Sequence, residues 1–198
     1  MSEFKCGLVA IVGRPNVGKS TLLNRIVGQK VSITSRKAQT TRHRVMGIHT
    51  TDEAQFVFVD TPGFQTRYSS TMNRAMNKRV RETLSDTDVV MMLVEAGRLK
   101  KEDRQVVELL PKDRPLILVV NKIDHTKDRA ELMACLQEAA AAHAFTEIVP
   151  VSAKQGSNLD ELLKTLQTHL PENPPLFDED DVTDQTERQL AAELIREK

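Results

Sequence analysis

With 198 residues the chain is long enough for one globular domain and an appendage, and too short for two ordinary domains. Its 28 basic residues balance 28 acidic ones, which excludes a protein that coats nucleic acid or membrane by bulk charge and leaves any such affinity to local patches. Two widely separated cysteines, Cys6 and Cys135, exclude a disulfide framework and suit core positions in a reducing compartment; the apolar run 7–12 is too short for a signal-sequence core, and nothing approaches the ~18 apolar residues of a membrane span.

In chain order, residues 8–12, 56–59, 89–94 and 116–120 are short β-branched runs that read as buried strands, separated by segments of helical period. This alternation predicts a mostly parallel α/β sheet. Leu22, Leu23, Ile26 and Val27 form one helical face, ended by Gly28; Leu132, Met133, Leu136, Ala139 and Ala140 form another. Residues 45–50 and 56–59 flank a polar turn at 51–53 and read as an antiparallel hairpin, so the sheet is mixed. After a strand at 148–151, Asn158 is placed to cap a last core helix with Glu161 completing a capping box, and Leu159, Leu162, Leu163, Leu166 and Leu170 supply its apolar face. The globular domain is expected over 1–171. Residues 172–183, proline-containing and acidic, read as a linker that can hardly bury itself, and 184–198 as the first helix of a further domain. The segment 30–44 lacks periodicity and reads as a long functional loop.

Four motifs carry chemistry. Gly13, Arg14, Pro15, Asn16, Val17, Gly18, Lys19 and Ser20 spell the Walker A pattern between a strand and a helix. Its glycines let backbone N–H groups turn inward around phosphate oxygens, and Lys19 at the helix start adds charge for the β- and γ-phosphates. Ser20 offers a hard oxygen to magnesium, and Thr21 reaches toward the α-phosphate. Asp60, Thr61, Pro62 and Gly63 follow the hairpin, where the carboxylate suits a magnesium-bound water and the Gly63 N–H a γ-phosphate oxygen. Asn121, Lys122, Ile123 and Asp124 follow the strand 116–120, and Asp124 can accept from both guanine N1–H and the 2-amino group, donors that adenine lacks on that edge. Ser152, Ala153 and Lys154 follow the next strand, with a backbone N–H for the guanine carbonyl and a lysine to flank the ring. The Walker A pattern in its strand-helix setting is already specific; the other three are weak alone, but four in order at strand ends point to a guanine-nucleotide site.

Together these motifs resemble the translation-factor class of P-loop GTPases, and the wording of 13–20 with Lys37, Ala38, Gln39, Thr40, Thr41, Arg42, His43 and Arg44 resembles the Era family of bacterial ribosome-assembly GTPases. The resemblance covers essentially the whole chain. It implies a P-loop NTPase G domain: α/β, with a mostly parallel mixed six-stranded sheet, one antiparallel edge strand and helices on both faces. It implies hydrolysis of GTP to GDP and phosphate with Lys19, Thr41, Gly63 and Asn16 as the catalytic set, and Ser20, Thr41 and, through water, Asp60 around magnesium. Thr40 stands as the alternative to Thr41. Phe64 occupies the place where the Ras-like template carries a water-orienting glutamine, and a phenyl ring cannot hydrogen-bond water. Relatives with that replacement use backbone contacts and, in several cases, potassium held by the asparagine matching Asn16, so potassium is a candidate second cation.

The partners implied are GTP and GDP, the small ribosomal subunit and its 16S rRNA, chiefly through a KH-type domain of which this chain carries the first helix. A cytoplasmic monomer is expected, with the inner membrane as a candidate peripheral contact. Two other readings stay open: a sister GTPase of transfer-RNA modification or large-subunit assembly, and a GTP-sensing module with negligible turnover. The basic stretch of Arg36, Lys37, Arg42 and Arg44 reads as a solvated loop before an RNA contact.

Overall fold

The computed structural model describes residues 3–34, 45–61, 78, 82–97, 99–108 and 110–197. Strand β1 (Lys5–Val12) runs into the loop 13–18 and helix α1 (Lys19–Val27); β2 (Val45–Thr50) and β3 (Ala54–Asp60) form the hairpin, and β4 (Val89–Glu95) leads to α2 (Lys101–Val107). β5 (Leu116–Asn121), a 3-10 turn (Ile123–His125), α3 (Arg129–Ala142), β6 (Glu147–Pro150), α4 (Leu159–His169) and α5 (Glu187–Glu197) complete the order.

The six strands lie in the order β2-β3-β1-β4-β5-β6, parallel throughout except for β2, which pairs antiparallel with β3 at the sheet edge. The central strands β3, β4 and β5 are apolar on both faces because both faces are covered. On one face Leu22, Leu23 and Ile26 of α1 and Leu162, Leu166 and Leu170 at α4 pack on Val9, Ile11, Phe56, Phe58, Met91 and Ile117. On the other, Val106 of α2 and Cys135 and Ala139 of α3 pack on Ala10, Val12, Val90, Met92, Val94 and Leu118. Parallel strands end on the same side, so the loops after β1, β3, β5 and β6 gather at one rim.

Two local expectations need correction. The buried side of α3 runs through Cys135 and Ala139, with Leu136 partly buried, while Met133 is 46% exposed and Ala140 faces out. Small side chains let α3 sit close to the sheet, which turns the bulkier Met133 away. Asn158 precedes α4 in the left-handed conformation (φ 63°), and its side chain forms no capping bond; Nδ2 donates instead to the Pro150 carbonyl at 2.8 Å. The end of β6 is thereby tied to the start of the helix, a use of asparagine that spacing alone does not distinguish from a cap.

The segment after α4 is bound to the sheet. Pro171 O accepts from Cys6 N, Lys5 bridges Glu172, and Gln55 binds the backbone of 176 and 177. Farther on, Ile48 N donates to Val182 O at 2.9 Å and Thr183 Oγ1 to Met46 O at 2.7 Å, so the segment runs beside the otherwise open edge of β2. Among the described residues no helix is long and apolar enough to cross a membrane.

Candidate nucleotide-binding site

The loop 13–18 links a buried strand to the first turn of α1, and two of its glycines are required by close neighbours. A Cβ on Gly13 (φ 151°) would lie 2.5 Å from the Leu93 carbonyl oxygen, and one on Gly18 (φ 104°) 2.3 Å from Asn121 Nδ2. Lys19 folds over this loop, buried, with Nζ donating to Gly13 O at 3.2 Å and Arg14 O at 3.1 Å. Burial pushes its pKa down to about 8, with the Asp60 carboxylate opposing. The ammonium donates here to carbonyl oxygens, which stand in for the phosphate oxygens of a ligand.

The register of β1 against β3 sets Ile11 beside Asp60, and so brings the end of β3 to the phosphate loop. Asp60 is fully buried, and its Oδ2 accepts from Ser20 Oγ at 2.8 Å. A hydroxyl and a carboxylate this close, next to a lysine, are the hard oxygen donors that magnesium takes alongside phosphate and water, so the residues fit that ion. Thr61, buried, donates through Oγ1 to Ile11 O at 2.7 Å, so its hydroxyl anchors the strand end to β1.

The second half of the site is built around Asn121, at the end of β5. Its Nδ2 donates to Val17 O at 2.8 Å and its Oδ1 accepts from Ala153 N at 3.0 Å, so one buried amide joins the phosphate loop to the loop after β6. Lys122, left-handed at φ 65°, extends Nζ to Asn16 O at 2.9 Å and to Glu95 Oε1 at 3.2 Å. Asp124 lies on the 3-10 turn, and its Oδ1 accepts from Ser152 Oγ at 2.6 Å. That bond holds the Asp124 carboxyl below the usual carboxylate range and keeps it ionised as an acceptor. Lys154 is exposed beside it.

The Arg14 guanidinium donates to Glu95 Oε2 at 2.8 Å and to Asp103 Oδ1 at 3.1 Å, so the side chain clamps the phosphate loop to β4 and α2. Burial pushes the Asp103 carboxyl up despite this partner, whereas in Glu95 the hydrogen bonds from Arg14 and Lys122 outweigh burial and the carboxyl is held low. Glu95 was legible as a charged residue closing the apolar strand VVMMLVE at its carboxyl end, where site residues of parallel sheets gather. Ser32, which also donates to Asp60 Oδ2 at 2.8 Å, carries no such signal.

The structure thus brings Lys19, Ser20 and Asp60 together, and separately Asn121, Lys122, Asp124, Ser152 and Ala153, with Asn121 and Lys122 bonded to the phosphate loop at Val17 and Asn16. Pro15 and Thr21 are half-buried beside the first group, and Asn16 is exposed with φ 67°. Thr41, Pro62, Gly63 and Phe64 lie outside the described residues.

Comparison with known proteins places the chain among GTPases. A family model described as 50S ribosome-binding GTPase matches residues 8–122. The GTPase Era of Chromobacterium violaceum is 58% identical over 197 residues, covering 100% of this chain and 67% of that protein; the GTPase Era of Nitrosomonas eutropha is 55% identical over 197 residues with the same shares. A crystal structure of Era in complex with MgGDPNP and nucleotides 1506-1542 of 16S ribosomal RNA is 44% identical with a TM-score of 0.92, covering 98% of this chain and 66% of that one. The chain therefore spans about two thirds of the length of the relatives it matches. Identity of this extent over the whole chain, on this fold, shows that the chain belongs to the Era family of GTPases.

Proposed function

We propose that this chain binds GTP with magnesium, hydrolyses it to GDP and phosphate, and acts as a switch in small ribosomal subunit assembly through contact with 16S rRNA. The observation that carries the reading is the bridge at Asn121, whose amide bonds Val17 of the phosphate loop and Ala153 in the loop after β6, so that the phosphate and base elements are tied to one side chain. Support for the ribosomal role comes from the similarity to an Era crystallised with MgGDPNP and a 16S rRNA segment.

In this reading Lys19 exchanges its two carbonyl partners for β- and γ-phosphate oxygens, and the N–H groups of 13–20 line the phosphates. A bound magnesium would draw charge from the phosphate oxygens as the leaving group departs. Ser20 and Thr41 would hold the ion directly and Asp60 through water, while Gly63 would donate its N–H to the γ-phosphate. Asp124, ionised, accepts from guanine N1–H and the 2-amino group, and Ser152 fixes its direction. Loss of the γ-phosphate removes the contacts to Thr41 and Gly63 together, which is how hydrolysis would alter a surface that partners read. Asn16 is the candidate ligand for potassium.

Competition against a fluorescent guanine nucleotide tests the pocket: GTP and GDP should displace it at concentrations roughly 100-fold or more below those of ATP. Equal displacement by ATP overturns the reading. Phosphate release in magnesium with either sodium or potassium then tests the chemistry. Equal turnover in the two salts, with Asn16→Ala unaffected, removes potassium from it.

A further inference from the structure

Asp60 is held from two sides. Ser20, in the first turn of α1, donates to Oδ2 at 2.8 Å, and Ser32, beyond the end of α1, donates to the same oxygen at 2.8 Å. Ser32 is only 4% exposed, although the chain just before it, residues 28–30, is exposed. What draws it inward is Asn24, one turn after Ser20 on the same face of α1. Asn24 Oδ1 accepts from the N–H groups of Val31 and Ser32, both at 2.9 Å, and Nδ2 donates to the Ser32 carbonyl at 2.8 Å. One side-chain amide therefore satisfies three backbone groups of the returning chain and fixes where the Ser32 hydroxyl can point.

Two hydroxyl donors on one carboxylate oxygen fix both the rotamer and the plane of the carboxyl group. Ser20 has a second task, since its oxygen must present a lone pair to the metal of the nucleotide complex. Ser32 does not face that demand, since it lies outside the phosphate loop and beyond the end of α1. It holds the same carboxylate oxygen as Ser20 from a separate stretch of chain.

We propose that Ser32, anchored by Asn24, is a positioning residue for the magnesium-binding carboxylate: it sets the direction from which Asp60 meets the metal-bound water, and so sets the affinity for magnesium in the nucleotide complex. The proposal rests on the magnesium-nucleotide reading above. Outer-shell partners of this kind change metal affinity by roughly 10- to 100-fold when removed.

The test measures release of fluorescent GDP from the full chain across graded free magnesium and in excess EDTA, for wild type, Ser32→Ala and Ser32→Thr. Ser32→Ala should raise the magnesium concentration that half-maximally slows release by about tenfold or more, while release in EDTA stays within about twofold of wild type. Ser32→Thr, which keeps a hydroxyl, should return the midpoint most of the way to that of wild type. An unchanged magnesium midpoint in Ser32→Ala, or equal acceleration with and without magnesium, overturns the proposal and leaves Ser32 a packing residue. Failure of the wild type to retain GDP at any magnesium concentration overturns the nucleotide reading itself, and the proposal with it.

Discussion

Lys19 couples nucleotide binding to pH. Burial brings its pKa to about 8, whereas phosphate oxygens around Nζ would favour the charged form and raise it again. Binding then takes up a proton in the window above about 8, and affinity falls as pH rises through that window, by up to about tenfold per pH unit. GDP affinity compared near pH 7 and near pH 9 checks this, and a flat profile would contradict it; Lys19→Met should bind far more weakly and lose the pH dependence. Asp124 makes the complementary prediction for the base. Asp124→Asn replaces one acceptor by a donor, so preference should move toward xanthine nucleotides, which carry an oxygen where guanine carries the amine, by roughly 100-fold or more. Retained preference for GTP in a competition assay would remove Asp124 from the base pocket.

Between elements, Glu95 is the joint. It ends β4, receives Arg14 from the phosphate loop at 2.8 Å and Lys122 from the loop after β5 at 3.2 Å, while Arg14 also reaches Asp103 on α2. Since the Glu95 side chain is 30% exposed, solvent weakens these pairs, and Glu95→Gln should cost about 1 kcal/mol at neutral pH. The folded-state carboxyl is held below its ordinary 4.5, so this contribution is present above that value and is lost as pH falls through the lower folded one. Denaturation midpoints of wild type and variant should therefore converge in acid. The same variant loosens Lys122, whose Nζ bonds Asn16 O, and should weaken guanine-nucleotide binding more than it weakens the fold.

Across the whole molecule, the chain after α4 is held at the sheet by Gln55. This fully buried amide accepts from Leu176 N at 2.8 Å and Phe177 N at 3.0 Å, and donates to Phe177 O at 2.9 Å and Thr50 Oγ1 at 3.0 Å. Gln55→Ala would remove the side chain that pairs these part-buried backbone groups with the sheet, so it should destabilise the protein by about 1–3 kcal/mol. It should also speed proteolytic cleavage within 172–186; an unchanged cleavage rate would mean that the contacts to Met46, Ile48 and Cys6 hold the segment on their own.

Much of this protein was legible without coordinates. Apolar runs of strand length alternating with helical faces point to a mostly parallel sheet, because helical crossovers between parallel strands cover both faces, and the motifs at 13–20, 60–63, 121–124 and 152–154 announce their chemistry because phosphate, metal and guanine each demand particular donors. Local pattern could not tell that Asn158 ties back to Pro150, that Arg14 turns to Glu95 and Asp103, or that Asn24 and Ser32 stand behind Asp60. Nor could it tell that an acidic, proline-containing stretch lies along β2, since its partners Gln55, Ile48 and Met46 are more than a hundred residues away. Sequence by itself determined which chemistry the chain can perform. Which side chain meets which across such distances is decided only when the sheet order is set, because a hydrogen bond depends on ångström-scale approach and direction, and those belong to the packed structure.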